Sequence, residues 1–436
     1  MPTLQVITLG CSKNEVDTEH LLAQVQDAYV ILPEEGEPDH VDYLLLNTCG
    51  FIGDAKEESI QAIFGAVDRK NRGKVGKIFV FGCLSQRYMD QLPDLIPEVD
   101  GWFGARELDP LVRALGCRVA PERRNSRLRT RRQGPYAFLK ISEGCDRHCS
   151  YCAIPNIRGA HRSVPMEDLV AEAESLAAEG VKELVLIAQD TTYYGLDLYG
   201  RRALAELLQR LSAVEGIAWI RIHYSYPAGF PEDVLEQMAT NPKVCRYMDI
   251  PLQHVSDVVL DNMHRSVDGA WTRALIRKMR EKVPGIVLRT TLIVGHPGEG
   301  RKEFAELLDF VRDAHFERMG AFPYSEEEGT WGADHLRDSV TKKTKQSRLS
   351  RLMELQRGIS FAYNQSRIGS EVRVLVDDCV DGTLVCRSEF ESPEVDGEIL
   401  VPCPAGKSPA DLTGRFITVR IVQAGEYDLA GEYLGD

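Results

Sequence analysis

Three cysteines in one short segment offer the most specific chemistry in this sequence. Cys145, Cys149 and Cys152 have the spacing CxxxCxxC within the segment CDRHCSYC. Three thiolates so close together can ligate three corners of a [4Fe–4S] cluster and leave one iron without a protein ligand. An open iron can bind and activate a small molecule, so the segment predicts a catalytic cluster. A fourth cysteine ligand would instead favour electron transfer.

A structural zinc site is the alternative interpretation of the same cysteines. Zinc usually takes four ligands that occur in paired spacings. Only His148 or His161 could supply a fourth ligand nearby. We expect both histidines to lie in loops or to contact the substrate, so the iron–sulfur interpretation is favoured.

A second group of cysteines recurs in the N-terminal part of the chain. Cys11, Cys49 and Cys83 are 38 and 34 residues apart, and each directly follows an apolar run that predicts a strand: LQVITLG, YLLLNT and KIFVFG. The carboxyl ends of parallel strands share one edge of a sheet, where α/β proteins place their ligands. A single cysteine is commonly just a buried residue. Three at one topological position predict a second cluster with an open iron.

The elements that must position these cysteines alternate between strand and helix patterns. In residues 1–120 the three strands are separated by helical patterns, which predicts a parallel βαβ domain. Residues 135–366 continue with six strand candidates: YAFLKIS, ELVLIA, WIRIHY, RYMDI, VLRTTLIVG and RMGAF. Six β/α units predict a partial (β/α)6 barrel of the TIM type, with its chemistry on the loops after the strands.

Three further segments differ in composition from these repeats. Residues 121–134 contain six arginines and one glutamate, and we interpret them as a solvated basic linker; a strap that contacts phosphates is the alternative. Residues 339–365 predict a basic helical connector at the end of the barrel domain. Residues 367–436 contain short alternating runs between Gly, Pro and Asp, which predict a small antiparallel β-barrel. The predicted fold class is therefore α/β with three domains.

The bulk composition narrows the class of protein. The 436 residues carry a net charge of −14, which argues against a wide phosphate-binding surface but is compatible with a local basic groove. We find no signal peptide and no membrane-spanning run, and we expect a cytoplasmic protein without a membrane partner. An odd number of cysteines, eleven, then favours metal binding or catalysis over disulfides.

Five cysteines lie outside the two groups. They share neither a close spacing nor a position after a strand, and we interpret them as ordinary thiols. A metal site formed by the last three is the alternative. The five are Cys117, Cys245, Cys379, Cys386 and Cys403.

The segment CDRHCSYC resembles the cluster motif of the radical SAM superfamily, with Tyr151 in its aromatic position. The resemblance implies that the open iron chelates S-adenosylmethionine (SAM), and that one electron from the cluster releases a 5′-deoxyadenosyl radical able to remove hydrogen from an unactivated carbon. TLIVGHPGE is similar to the superfamily's glycine-containing strand that packs on the adenosine, which makes Gly295, Gly298 and Glu299 candidate SAM contacts. His296 departs from the aromatic residue expected there.

The motifs TLGCSKNEVDTE, LNTCGFI, FGCLSQRY and SEGCDRHCSYC together resemble the methylthiotransferase family of radical SAM enzymes. The resemblance implies an N-terminal methylthiotransferase domain (1–120), a radical SAM domain with its connector helix (135–366) and a TRAM domain (367–436). It also implies two [4Fe–4S] clusters, the N-terminal one holding or supplying sulfur. SAM would act both as radical source and as methyl donor, and an external electron donor and sulfur source are expected.

The substrate is indicated by three stretches, SEGCDRHCSYCAIPNIRGAHRS, YMDIPLQHVSDVVLDNMHRS and YSEEEGT. They resemble the RimO group, which modifies protein, more than the group that modifies tRNA adenosine. The resemblance implies methylthiolation of the β-carbon of an aspartate in small-subunit ribosomal protein S-twelve, free or in the ribosome. The alternatives are a tRNA adenosine methylthiotransferase and, in another class, a non-catalytic iron–sulfur electron carrier or redox sensor.

The charge of the C-terminal domain favours a protein substrate over RNA. Residues 367–436 contain 14 acidic and six basic residues, a net charge of −8, which suits a basic ribosomal protein better than phosphates; a merely solvated acidic surface is the alternative. We expect six exposed acids to form a docking surface: Asp377, Asp378, Asp381, Glu389, Glu391 and Glu394.

Overall fold

The computed structural model describes residues 1–106, 108–130 and 134–436. In chain order these residues form a parallel sheet, an open parallel barrel and a closed β-barrel. The predicted α/β class and its three architectures are thus present. Within the described ranges, no helix combines the length and the apolar composition that crossing a membrane requires.

The N-terminal domain is a five-stranded parallel sheet in the order β2-β1-β3-β4-β5. Its strands are β1 (Thr3–Thr8), β2 (Val30–Ile31), β3 (Val41–Thr48), β4 (Val75–Gly82) and β5 (Gly101–Trp102), and its helices are α1 (Ser12–Val25), α2 (Gly53–Asn71), α3 (Cys83–Arg87), α4 (Leu92–Leu95) and α5 (Asp109–Ala114). The central strand β3 carries the buried run Leu44–Leu46, because helices cover both faces of a parallel sheet. Strands β1, β3 and β4 are neighbours, which brings their carboxyl ends together.

The middle domain is a six-stranded parallel sheet in the order β13-β12-β11-β10-β9-β6, with β13 and β6 at its edges. All six predicted strands are present. The six strands are β6 (Tyr136–Lys140), β9 (Glu183–Ile187), β10 (Trp219–Ile222), β11 (Val244–Asp249), β12 (Val287–Val294) and β13 (Arg318–Pro323). Two short strands, β7 (Ser142–Glu143) and β8 (Arg162–Ser163), form a separate antiparallel pair. The helices are α6 (Ile154–Arg158), α7 (Met166–Ala178), α8 (Leu196–Tyr199), α9 (Leu204–Ser212), α10 (Glu232–Thr240), α11 (Asp257–Asn262), α12 (Gly269–Lys282), α13 (Arg301–Ala314), α14 (Trp331–His335) and the connector α15 (Lys342–Ser366).

The C-terminal domain is a closed barrel in the order β14-β15-β16-β18-β17, with β17 pairing back to β14. Its elements are β14 (Glu371–Val380), β15 (Thr383–Arg387), β16 (Ile399–Pro402), α16 (Pro409–Leu412), β17 (Phe416–Ala424) and β18 (Leu429–Gly435). The pairing of β16 with β18 is parallel, whereas the other pairs follow the predicted antiparallel pattern. Alternate side chains fill the barrel interior, as closure of a small barrel requires.

The arginine-rich segment before the barrel domain is not simply solvated. Arg127 and Arg129 are buried, and the Nε of Arg127 donates to Glu19 on α1 at 2.7 Å while its Nη1 lies 3.4 Å from Glu172 on α7. The interpretation as a solvated linker is therefore wrong for these two residues, because carboxylates on both neighbouring domains pair with Arg127 and Arg129 donates to the backbone carbonyls of Gly134 and Tyr136. Residues 131–133 lie outside the described residues.

The six acids expected on the surface of the C-terminal domain are not all exposed. Glu391 is only 1% exposed and pairs with Arg318 of the barrel domain at 3.2 Å and with Arg367. The prediction that Glu391 is exposed is wrong, because the loop between β15 and β16 turns towards the strands of the middle domain, where Arg318 lies. Asp377 and Glu389 are half-buried, and Asp378, Asp381 and Glu394 are exposed.

The two half-buried acids, Asp377 and Glu389, each pair with an arginine. The Nη2 of Arg387 donates to Asp377 at 2.8 Å, and the Nη2 of Arg246 donates to Glu389 at the same distance. The predicted docking surface therefore reduces to Asp378, Asp381 and Glu394, and its docking role stays a prediction.

Candidate active site

The CxxxCxxC loop follows β6 and is held by backbone hydrogen bonds at both ends. The N–H of Cys145 donates to the carbonyl of Gly159 at 3.0 Å, and the N–H of Cys152 donates to the carbonyl of Cys149 at 3.0 Å. Gly144, just before the loop, has φ +74°, and a Cβ atom there would lie 2.1 Å from the carbonyl oxygen of Ala160. Glycine is required because the two chain segments approach too closely for a side chain.

The three thiols of this loop lie near one another and are half-buried. Burial, with a smaller contribution from the neighbouring Cys149, raises the pKa of Cys145 and of Cys152 to about 12. Thiols with such pKa values are protonated at neutral pH, whereas iron binds the thiolate. Assembly of the predicted cluster in this loop would therefore release protons, as metal binding to cysteine generally does.

Arg265 lies beside this cluster motif, although nothing in the sequence assigned it a role. Its Nη1 atom is 3.6 Å from the sulfur of Cys149 and 3.4 Å from the hydroxyl of Tyr151. Its guanidinium also stacks over the ring of Tyr226, with 4.1 Å between the guanidinium carbon and the ring centroid. The flanking residues, His264 and Ser266, both have positive φ, and this turn carries the 2%-exposed arginine side chain inward.

The structure brings Cys11, Cys49 and Cys83 to one edge of the N-terminal sheet. They follow β1, β3 and β4, which are neighbours, so residues far apart in the chain meet at the carboxyl ends of these strands. A Cβ atom on Gly10 would lie 2.7 Å from the Cβ of Cys49, so the loop before Cys11 passes directly against Cys49. Burial, with smaller contributions from the nearby Cys83 and Cys11, raises the pKa of Cys49 to about 11.

Arg158 connects the two groups of cysteines. It ends α6, shortly after Cys152, and its Nε donates to the sulfur of Cys83 at 3.2 Å. Burial raises the pKa of Cys83, and the Arg158 charge opposes that rise. The residue lies within the motif SEGCDRHCSYCAIPNIRGAHRS, but the sequence alone did not indicate its contact with the other domain.

The glycines predicted to contact SAM have packing roles in the protein. A Cβ atom on Gly295 would lie 2.4 Å from Cγ of Lys345 on α15, and one on Gly298 would lie 2.3 Å from Nδ2 of Asn262. Glu299 is buried; it accepts from the N–H of Gly295 at 2.8 Å and from Arg348 at 2.6 Å. Glu299 therefore holds the turn, and direct contact of these three residues with SAM stays a prediction.

His296 places this turn beside the cluster motif. Its ring meets the ring of Tyr151 edge to face, with 6.3 Å between centroids, and the ring of Tyr324 at 4.8 Å. Burial lowers the pKa of His296 to about 4, so the ring is neutral at physiological pH. A neutral imidazole fills the position where an aromatic residue was expected.

Buried polar atoms without a partner gather at the carboxyl ends of the barrel strands. In the described part of the chain, four such atoms are Oε1 of Gln189, Oε1 of Gln253, Nε2 of His296 and the hydroxyl of Tyr324. They follow β9, β11, β12 and β13 in turn. An unpaired buried polar group costs about 1–3 kcal/mol. A polar cofactor bound at this end of the barrel would satisfy these groups, and SAM fits that requirement.

Neither cysteine group is packed as a site for a single metal ion. Across residues 1–106, 108–130 and 134–436, no three His, Cys, Asp or Glu side chains come together closely enough to surround one ion. The zinc alternative therefore gains no support. Each group supplies three thiols, which is the number of protein ligands that a [4Fe–4S] cluster with one open iron takes, and cluster binding by these residues stays a prediction.

Family models and named relatives match the chain over nearly its whole length. Residues 3–104 match the Uncharacterized protein family UPF0004, residues 139–311 the Radical SAM superfamily, and residues 368–434 the TRAM domain. The protein named ribosomal protein uS12 methylthiotransferase RimO from Flavobacterium johnsoniae is 50% identical over 98% of this chain and 97% of its own length. The protein of that name from Porphyromonas gingivalis is 49% identical over 98% of each chain. The chain belongs to the RimO family.

Membership of the RimO family confirms the predicted family and, with the radical SAM match, the predicted cofactors SAM and one [4Fe–4S] cluster. Among solved structures, the radical S-adenosylmethionine methyltransferase TsrM from Kitasatospora setae has a TM-score of 0.55 at 14% identity and covers 95% of this chain and 81% of its own. The cobalamin-dependent S-adenosylmethionine radical enzyme OxsB has a TM-score of 0.53 at 13% identity, covering 82% of this chain and 56% of its own. These two neighbours share the fold of this RimO family member.

Proposed function

We propose that the chain transfers a methylthio group to the β-carbon of an aspartate in ribosomal protein uS12. One observation carries the proposal: the chain has two separate groups of three cysteines and is about 50% identical over its length to proteins named uS12 methylthiotransferase. One group lies in the loop after β6, and the other lies at the carboxyl ends of β1, β3 and β4. Inserting sulfur at an unactivated carbon needs a radical, and attaching a thioether needs a sulfur source. Two open clusters supply one site for each task.

The barrel site serves the radical step in this proposal. Cys145, Cys149 and Cys152 would hold one [4Fe–4S] cluster, which together with SAM would supply the radical chemistry needed at the substrate carbon. Arg265 orients the Cys149 side of this site, because its guanidinium contacts both the sulfur and Tyr151. The unpaired groups of Gln189, Gln253 and the neighbouring strands bind the polar groups of SAM.

The N-terminal site serves the sulfur step. Cys11, Cys49 and Cys83 would hold a second [4Fe–4S] cluster, which would supply the sulfur for the transfer. This edge of the N-terminal sheet adjoins the barrel domain through Arg158. SAM supplies the methyl group but neither the added sulfur nor the reducing electrons. An external sulfur source and an external electron donor are therefore the further partners that we propose.

The decisive experiment measures two products of one reaction. Reconstituted protein is incubated without oxygen with SAM, a reductant and uS12, and we expect both 5′-deoxyadenosine and uS12 in which a methylthio group replaces one hydrogen. Mass spectrometry of uS12 peptides locates the modified aspartate. Absence of 5′-deoxyadenosine would support an electron carrier or redox sensor instead, and modification of tRNA but not uS12 would support the tRNA alternative.

A further inference from the structure

Arg158 and Gly159 touch both cysteine groups at once. The carbonyl of Gly159 accepts the backbone N–H of Cys145 at 3.0 Å, while the Nε of Arg158 donates to the sulfur of Cys83 at 3.2 Å. Two consecutive residues thus connect the loop of the barrel site to the buried cysteine of the N-terminal site. Any movement of one site relative to the other must stretch one of these two bonds.

The Arg158 guanidinium is fixed by both domains. It is 3% exposed, its Nη1 lies 2.7 Å from Asp17 and 3.0 Å from Glu143, and its Nη2 donates to the Asn14 side chain at 2.6 Å. Asp17 and Asn14 belong to α1 of the N-terminal domain, and Glu143 belongs to the barrel domain. All three guanidinium nitrogens have partners, so its direction towards Cys83 is determined before any cluster binds.

Neighbouring carboxylates balance the positive charge of the buried Arg158, so a negative charge on Cys83 is not needed for this. Lys140 also pairs with Asp17 and lies 2.9 Å from Glu143, so two cations face two carboxylates. The local charges balance in the absence of a thiolate. The contact that Arg158 makes specifically with Cys83 is the hydrogen bond from its Nε–H to the cysteine sulfur.

We propose that Arg158 is a positioning residue for the N-terminal cluster, an inference that rests on the proposed function. It holds Cys83 in a fixed place relative to Cys145, and its N–H···S bond stabilises the reduced, more negative form of the cluster. Hydrogen bonds to cluster sulfurs and outer contacts of ligands are general determinants of reduction potential. Arg158 therefore makes the N-terminal cluster easier to reduce than the same three cysteines alone would.

Arg127 provides a matched control. It is also buried and also joins α1 to the barrel domain, through Glu19, Glu172 and the carbonyl of Phe138. In the described part of the chain its bonding partners are these groups and not a cysteine. A change at Arg127 thus disturbs the same interface without touching the N-terminal site.

The test uses the full chain with Cys145, Cys149 and Cys152 changed to Ala, which leaves only the N-terminal site. Arg158→Lys, Arg158→Gln and Arg127→Lys are added to this parent, and iron content and the midpoint potential from an EPR-monitored redox titration are measured. We expect about four irons in the parent. The midpoint should become more negative in Arg158→Lys, more so in Arg158→Gln, and stay unchanged in Arg127→Lys.

The outcomes separate the inference from the function on which it rests. A parent without iron contradicts the second cluster itself. A parent that holds iron, with an unchanged midpoint in both Arg158 variants, overturns the role of Arg158 alone. If Arg158→Gln fails to fold by circular dichroism, Arg158→Lys decides, because lysine keeps the charge but loses the planar fork that reaches the sulfur and both carboxylates together.

Discussion

The guanidinium of Arg265 lies 3.6 Å from the sulfur of Cys149, and the two residues are 116 positions apart in the chain. If Cys149 ligates the proposed barrel cluster, this contact makes Arg265 an outer partner of that cluster, and changes to such partners commonly cost about 10- to 100-fold in activity. We expect Arg265→Lys to retain the iron of the wild type but to form 5′-deoxyadenosine about 10- to 100-fold more slowly. Arg280→Lys is the control and should keep the wild-type rate, because it changes contacts with Glu317 and with backbone carbonyls of the same domain and none with a cysteine. Equal rates in both variants would contradict this role.

If each cysteine group holds its own cluster, removing one group should halve the iron content and abolish only the step that this group serves. Reconstituted wild type should approach about eight irons. Changing Cys145, Cys149 and Cys152 to Ala should leave about four and abolish SAM cleavage. Ala at the three N-terminal cysteines should also leave about four irons and spare some cleavage, yet stop sulfur transfer. A full iron content in either triple variant would contradict the ligand assignment.

Deuterium labelling of the substrate can identify the carbon from which hydrogen is removed. We expect the radical to take hydrogen from the aspartate β-carbon, because the new carbon–sulfur bond forms there. A uS12 substrate deuterated at this carbon should pass its label to 5′-deoxyadenosine, as measured by mass spectrometry, whereas α-deuterated substrate should not. Unlabelled product from the β-deuterated substrate would rule out this route.

Gly10 offers a steric test of the N-terminal site. A Cβ atom at Gly10 would lie 2.7 Å from the Cβ and 3.0 Å from the sulfur of Cys49, so Gly10→Ala must displace the cysteine. We expect this variant to lose iron from the N-terminal site only. Gly36→Ala is the matched control, because Gly36 has nearly the same φ (+92° against +93°) and nothing within 4 Å of the added atom. If both variants bind iron like wild type, the close approach to Cys49 has no bearing on the cluster.

Glu391 is expected to stabilise the contact between the last two domains. Burial alone would raise its pKa, but Arg367 and Arg318 outweigh burial and lower the pKa from 4.5 to about 2. Glu391→Gln leaves two buried arginines without their carboxylate and should cost about 3–5 kcal/mol near neutral pH. The thermal midpoint measures this loss, and Glu354→Gln, on an exposed pair with Arg357, should change it little.

The depressed pKa also sets the pH window of this effect. A carboxylate with a lowered pKa stabilises the folded state above its unfolded pKa, and that contribution is lost as pH falls towards the folded pKa. The difference in thermal midpoint between wild type and Glu391→Gln should therefore shrink between about pH 4.5 and about pH 2. A constant difference across that window would mean that the ion pair is not its source.

Much of the architecture could be predicted from local sequence. Cys145, Cys149 and Cys152 are neighbours in the chain, so their spacing alone indicated a cluster motif. The strands before Cys11, Cys49 and Cys83 are short apolar runs, and parallel pairing of consecutive βα units then requires that their carboxyl ends meet. These inferences depend on local patterns and on a connection rule that applies to any parallel sheet.

Contacts between domains were decided only by the tertiary structure. Arg158 reaches Cys83 across 75 positions, and Glu391 is buried against Arg318 although its loop looks like an exposed acidic turn. A charged residue in a loop has the same local pattern whether it faces water or a buried partner of opposite charge. The sequence by itself determined the elements and the two cysteine groups, because those follow from periodicity and spacing. Which charges are buried, and which arginine touches which sulfur, depends on how the finished domains pack against one another.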